Sequence, residues 1–121
     1  MRVDSQQTFE NFKKLKYREI YLHELAHKQA GGALAGSIVI KKDTNGIPYA
    51  GFVRITVPPI EPENPRKTIS QAGIVLKSAL APATPSLQDK KVAIYAKDII
   101  FKAKEILFKK DNQNKHLNII A

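Results

Sequence analysis

The stretch YLHELAHKQAGG, Tyr21–Gly32, decides how this chain is read. It carries two histidines four residues apart, a glutamate directly after the first, and a glycine pair at its end. Residues from about Ser5 to Ala30 contain neither proline nor glycine, and Phe9, Phe12, Leu15, Leu22 and Ala26 recur at near-helical spacing. The stretch therefore reads as the end of a long first helix, stopped at Gly31-Gly32, since glycine readily takes the left-handed conformation that ends helices. Residues four apart on a helix lie one turn above each other on one face, so His23 and His27 point the same way.

Working outward, GSIVIKKDTNGIPYAGFVRITV predicts a β-hairpin: two β-branched runs, Ser37–Lys41 and Tyr49–Val57, flank Asn45-Gly46, a pair suited to a tight turn. The proline-rich PPIEPENPRK follows as an extended loop. Asn64 as N-cap, with Pro65 in the first helical position, opens a second helix to about Leu80. After the break APATPS, Thr84 or Ser86 caps a third helix reaching Lys110, with Val92, Ala96, Ile99, Ala103 and Ile106 on its buried stripe. The expected fold is α+β: a long H-E-x-x-H helix, a β-hairpin and two further helices in one domain over residues 1–121, with a core of about 5–110 and a tail from 111 to 121.

The same stretch has a chemical reading. His23-Glu24-Leu25-Ala26-His27 matches H-E-x-x-H, and two imidazole nitrogens one turn apart can converge on a zinc ion. Glu24 projects beside that ion, where it can take a proton from an activated water and pass one to a leaving amine. Such a centre hydrolyses amide bonds without a cysteine or serine nucleophile, and the chain has no cysteine. The competing reading is a solvent-facing helix that carries His and Glu for solubility. The position of the motif, ahead of a glycine stop and a hairpin, favours the metal reading, because a zinc peptidase needs an edge strand beside the metal helix to hold an extended substrate.

A catalytic zinc usually takes three protein ligands and leaves one position for water. The long metzincin form calls for glycine at position 30 and histidine at position 33, and Ala30 and Ala33 exclude it. Asp89, in the first turn of the third helix, is the candidate third ligand, although a carboxylate there is equally favoured by the helix N-terminus. His116 in the tail and Glu61 and Glu63 in the proline-rich loop read as surface groups. Glu19, one turn before His23, reads as a helix-surface residue with a secondary claim to orienting the ring.

Composition bounds the partners. Apolar residues make up 43% of the 121, typical of a folded domain, and the longest apolar run, GGALAGSIVI, is too short to span a bilayer. The N-terminal MRVDSQQTFENFKK has no apolar signal-peptide core, so a cytoplasmic location is expected, with export by another route left open. The net charge of +9 would attract nucleic acid or anionic lipid, with Lys90, Lys91, Lys97, Lys102, Lys104, Lys109 and Lys110 as the candidate contacts. The lysines are not interleaved with glycine and aromatic residues as base stacking requires, which argues for a solvated basic surface and against a dedicated nucleic-acid function.

Three blocks in order, HELAHKQAGG, DTNGIPYAGFVRI and ALAPATPSLQDKKVAIYA, make the chain similar to the SprA-related family of bacterial proteins, read as zinc-metalloprotease catalytic domains. The similarity runs from about Lys16 to Ala103, and the third block is long and unusual. The resemblance implies a minimal zincin-like domain, with His23 and His27 as zinc ligands, Glu24 as general base and a peptide or protein as substrate. It also implies that Pro82 and Pro85 fix the turn that brings the last helix to the active site, with Asp89 at its start. The chain departs from the family pattern at Phe52, where members carry Glu or His; if that position supplies a ligand, the remaining set is two histidines plus water or Asp89. Such a loss would turn the domain into a degenerate interaction module with weak or no zinc binding.

Overall fold

The computed structural model describes the backbone of residues 4–120 and the side chains of residues 4–113. Its elements follow in the order α1 (Ser5–Gly31), a short 3-10 turn (Gly32–Leu34), β1 (Ala35–Lys42), β2 (Pro48–Ile55), α2 (Pro65–Ala79) and α3 (Leu87–Ile120). The fold is α+β, three helices and one two-stranded antiparallel sheet, in the layout expected.

Local signals account for most boundaries. Asp4 caps α1 by accepting from the Gln7 N–H at 2.7 Å, and Gly32 ends it at φ +53°, a backbone that side chains resist. The hairpin turn is held by Asp43, whose Oδ1 accepts from the N–H groups of Asn45 and Ile47. Asn64 Oδ1 caps α2 through the Lys67 N–H, with Pro65 in the first turn. Ser86, not Thr84, caps α3. Its Oγ accepts from the Asp89 N–H at 3.0 Å, and Asp89 Oδ2 accepts from the Ser86 N–H at 2.9 Å, a reciprocal pair that satisfies two otherwise orphaned donors. The third helix runs past Lys110 to Ile120, because nothing between them, neither proline nor glycine, stops it. β2 ends at Ile55, two residues short of the predicted Val57, ahead of the proline pair Pro58-Pro59.

The core lies between α2 and α3. Ala72, Val75 and Ala79 of α2 meet Ala93, Ala96, Ile99 and Ala103 of α3, all buried, and such small side chains let the two helix axes approach closely. On the other side of the domain α1 lies across the hairpin. Ile40 pairs with Gly51 and Ile38 with Val53, so these residues share the sheet face turned to α1. At Gly51 a Cβ would fall 2.6 Å from a methyl of Ile20 and 3.0 Å from the Glu24 Cγ, so only glycine lets the helix sit this low.

The spacing that marks α1 as a helix does not mark its buried face. Phe9, Phe12, Leu15 and Leu22 are exposed, and the buried residues of α1 are Glu24, His27 and Gly31. The helix turns its His/Glu stripe inward, because that stripe is the one lying against Gly51 and the end of α2.

Candidate metal centre

His23, Glu24 and His27 come from the last third of α1, and their ligand atoms all lie within 4.8 Å of one another, within metal-binding reach. His27 is buried and its ring is fixed from α2: Nδ1 donates to the Ser78 carbonyl at 2.6 Å, while the Ser78 hydroxyl donates to the His27 carbonyl at 2.7 Å. A carbonyl can only accept, so the Nδ1 carries the hydrogen and the neutral ring presents a bare lone pair at Nε2. That is the tautomer a metal ligand needs, held by the kind of backbone contact that orients ligating histidines.

Asp89 enters from the start of α3. Its Oδ2 lies 3.1 Å from His23 Nε2 and its Oδ1 3.1 Å from His27 Nε2, and the two Nε2 atoms are 3.3 Å apart. The Ser86 N–H holds the same Oδ2, so the carboxylate is both the helix cap and the third corner of the cluster. Burial works to raise the Asp89 pKa, but the Ser86 N–H, the electrostatic pull that a protonated His27 would exert, the Ser86 hydroxyl and the His23 hydrogen bond outweigh it and hold the carboxyl below its usual value.

These distances bear on what the cluster can hold. Ligand atoms about 2.0–2.1 Å from a tetrahedral zinc stand about 3.3 Å from one another. The two Nε2 atoms stand 3.3 Å apart, and each lies 3.1 Å from a different oxygen of the Asp89 carboxylate. With Nδ1 carrying the ring hydrogen, His27 Nε2 and Asp89 Oδ1 are two acceptors in contact, which repel unless a cation lies between them. A ring hydrogen on His23 Nε2 can donate to Asp89 Oδ2, whereas an ion among the four atoms serves both histidines and the carboxylate together. The donor set fits a divalent metal that accepts nitrogen and oxygen ligands.

Glu24 stands beside this cluster, buried under Gly51. Burial pushes its carboxyl above the ordinary carboxylate range; His27 and His23 pull it back, and Asp89 adds to the upward push. Two clefts meet at His23, Glu24 and Gly51. One, of about 430 Å³, runs between Asp89 and β2 and is lined by Ala50, Gly51, Phe52, Val53, Ile55 and Val57. The other, of about 500 Å³, passes Glu19 and the segment Ala81–Thr84. The first takes consecutive residues of β2 and none of β1, so it follows the edge of β2 that no strand among the described residues pairs with.

Each remaining candidate has a place. Phe52 sits on the hairpin face turned away from α1, with the Lys41 Nζ 5.5 Å from its ring, and it lines the first cleft without offering a metal-ligating atom. Glu19 is exposed at the rim of the second cleft. Glu61 pairs with Lys67 at 3.4 Å and Glu63 is exposed, both away from the histidines. The His116 side chain lies outside the described residues. Sequence reasoning did not single out Ser78. Its signal was a small polar residue beside the apolar stripe Ala72, Val75 and Ala79, where a buried hydroxyl must find a partner.

Set against known protein families, curated proteins and solved structures, the chain matches none.

Proposed function

We propose that the protein is a zinc-dependent peptidase of the SprA-related, zincin-like kind. The observation that carries the reading is the convergence of His23 Nε2, His27 Nε2 and the Asp89 carboxylate on one point, with Glu24 alongside and an unpaired strand edge in front. His23, His27 and Asp89 would hold the metal. Zinc bound there would supply a Lewis acid that acidifies water and polarises a scissile carbonyl.

The chain's own residues account for the remaining work. Ser78 locks the His27 tautomer, and Ser86 fixes the Asp89 carboxylate. The raised proton affinity of the Glu24 carboxyl suits it to take a proton from the attacking water and deliver one to the leaving amine. The open edge of β2 offers main-chain donors and acceptors to an extended peptide, while the apolar walls around Val53, Ile55, Val57 and Val92 receive alternate side chains.

The test is zinc content and peptide cleavage measured on protein first stripped of metal and then reloaded. One zinc per chain is expected, lost in His23→Ala, with cleavage abolished in Glu24→Ala while zinc is retained. Zinc content near zero, unchanged by His23→Ala, overturns the metal reading. One zinc per chain without cleavage of any peptide overturns the peptidase reading and assigns the domain to a non-catalytic interaction role.

A further inference from the structure

The outer face of α3 carries a pattern that the candidate metal centre does not use. Leu87, Ile94, Phe101 and Phe108 follow one another at intervals of seven, and they are 72, 66, 62 and 66% exposed. Seven residues are two helical turns short of about 20°, so the four side chains form one nearly straight stripe along the helix. Exposed lysines flank it on both sides. Lys90, Lys97 and Lys104 come three residues after successive stripe positions, and Lys91, Lys102 and Lys109 line the opposite flank. The acids near the stripe are Asp98, paired with Lys102 at 2.9 Å, Glu105 and, beside Phe108, Asp111; six flanking lysines outnumber these three, so the face keeps a net positive charge. The opposite face of α3, with Ala93, Ala96, Ile99 and Ala103, is the one packed on α2.

We infer that this face of α3 docks in the plane of an anionic phospholipid bilayer. Four large apolar side chains bordered by lysines suit the headgroup boundary, where apolar residues sink about 5–10 Å and lysine heads reach back to the lipid phosphates. No helix among the described residues is long and apolar enough to cross a membrane, so the contact is one of lying on the surface.

Charge and spacing disfavour the other occupants. A coiled-coil partnership with a second copy needs a second apolar row three or four residues on, and those positions hold Lys90, Lys97 and Lys104 or Lys91, Asp98 and Glu105. A nucleic-acid backbone would meet the lysines and leave Leu87, Ile94, Phe101 and Phe108 in water. The four stripe residues line neither cleft of the metal centre, so the inference stands whether or not that centre binds zinc.

The experiment is co-sedimentation of the full chain with phosphatidylcholine vesicles, with and without about a third phosphatidylserine, at low and high salt. Binding to the anionic vesicles only is expected, weakened by salt. Ile94→Glu/Phe101→Glu should abolish it, both positions being exposed, with helicity checked by circular dichroism. Replacing Lys90, Lys97 and Lys104 with glutamine should weaken binding roughly a hundredfold, at about fivefold per lysine near the surface. Arg66→Gln/Lys77→Gln, which removes two positive charges from α2, should cost far less than the roughly 25-fold that two stripe lysines would at about fivefold each.

Failure to bind anionic vesicles, equal binding to neutral ones, or indifference to both the stripe variant and the lysine variant overturns the inference. So does a dimer that dissociates in Ile94→Glu/Phe101→Glu, which assigns the stripe to a second copy. Retention on duplex DNA or on an acidic protein, without vesicle binding, overturns it as well.

Discussion

Replacing Asp89 by asparagine separates two duties that one carboxylate performs. Asparagine keeps an oxygen that can accept from the Ser86 N–H, so the start of α3 stays capped, but it removes the charge that meets His23 and His27 at 3.1 Å. Structural zinc sites bind with apparent energies of about 10–16 kcal/mol shared over four ligands, or about 2.5–4 kcal/mol each. Loss of one charged ligand should therefore raise the zinc Kd by about 10²–10³-fold. The assay is competition with a chelator of known affinity, on protein stripped of metal and checked for helicity. Ser86→Ala is the paired control. It removes the hydroxyl that accepts from the Asp89 N–H but leaves the backbone donor to Asp89 Oδ2, so it should destabilise the apo-protein by about 1 kcal/mol and change the zinc Kd by less than about tenfold. If Asp89→Asn binds zinc as the parent does, or if the two variants weaken it equally, Asp89 is a cap alone and the three-ligand reading is wrong.

Gly51→Ala should destabilise the fold by about 1–3 kcal/mol in urea unfolding, because the new methyl would fall 2.6 Å from Ile20 and lift α1 off β2; a neutral result would mean that the contact is not close in solution. Ser78→Ala should cost about 1 kcal/mol of stability through the lost hydrogen bond to the His27 carbonyl, and it should spare zinc binding, since the Ser78 carbonyl that holds the ring is untouched. Glu24→Gln should raise the melting temperature of the metal-free protein at pH 7. Burial raises the folded pKa of Glu24, so its ionisation costs stability as the pH climbs from about 4.5 through that raised value. The gain should therefore shrink as the pH falls towards and below about 4.5, where the carboxyl becomes protonated in both states; a gain of equal size at neutral and at acid pH would remove burial as the cause.

Much of the fold was legible because its signals are local. The Asn45-Gly46 turn, the Asn64 cap, the Gly31-Gly32 stop and the stripe of α3 each rest on residues within about a turn of one another. Which face of α1 is buried was not legible. Phe9, Phe12, Leu15 and Leu22 give the helix its period, but the inward stripe is set by what crosses it, a glycine on β2 and a carbonyl on α2. The extension of α3 past Lys110 was missed for the opposite reason, since a polar composition was read as a tail although no breaking residue stood there.

The candidate site shows where local and distant information meet. His23 and His27 announce themselves by a spacing of four, whereas Asp89 lies 66 positions from His23 and Ser78 lies 51 from His27. The sequence offered Asp89 two readings, a helix-N-terminal carboxylate and a metal ligand, as if one excluded the other. In the fold the first reading makes the second workable. The Ser86 N–H holds Asp89 Oδ2 at 2.9 Å and restricts the carboxylate rotamer before any ion arrives, so both oxygens already face the imidazoles. A flexible surface aspartate would lose side-chain entropy on ligation, and this one has lost it to the cap when α3 forms. A carboxylate whose local role is secure is therefore a better candidate ligand than an unattached one, which inverts the weight a capping signal ordinarily carries against a functional reading.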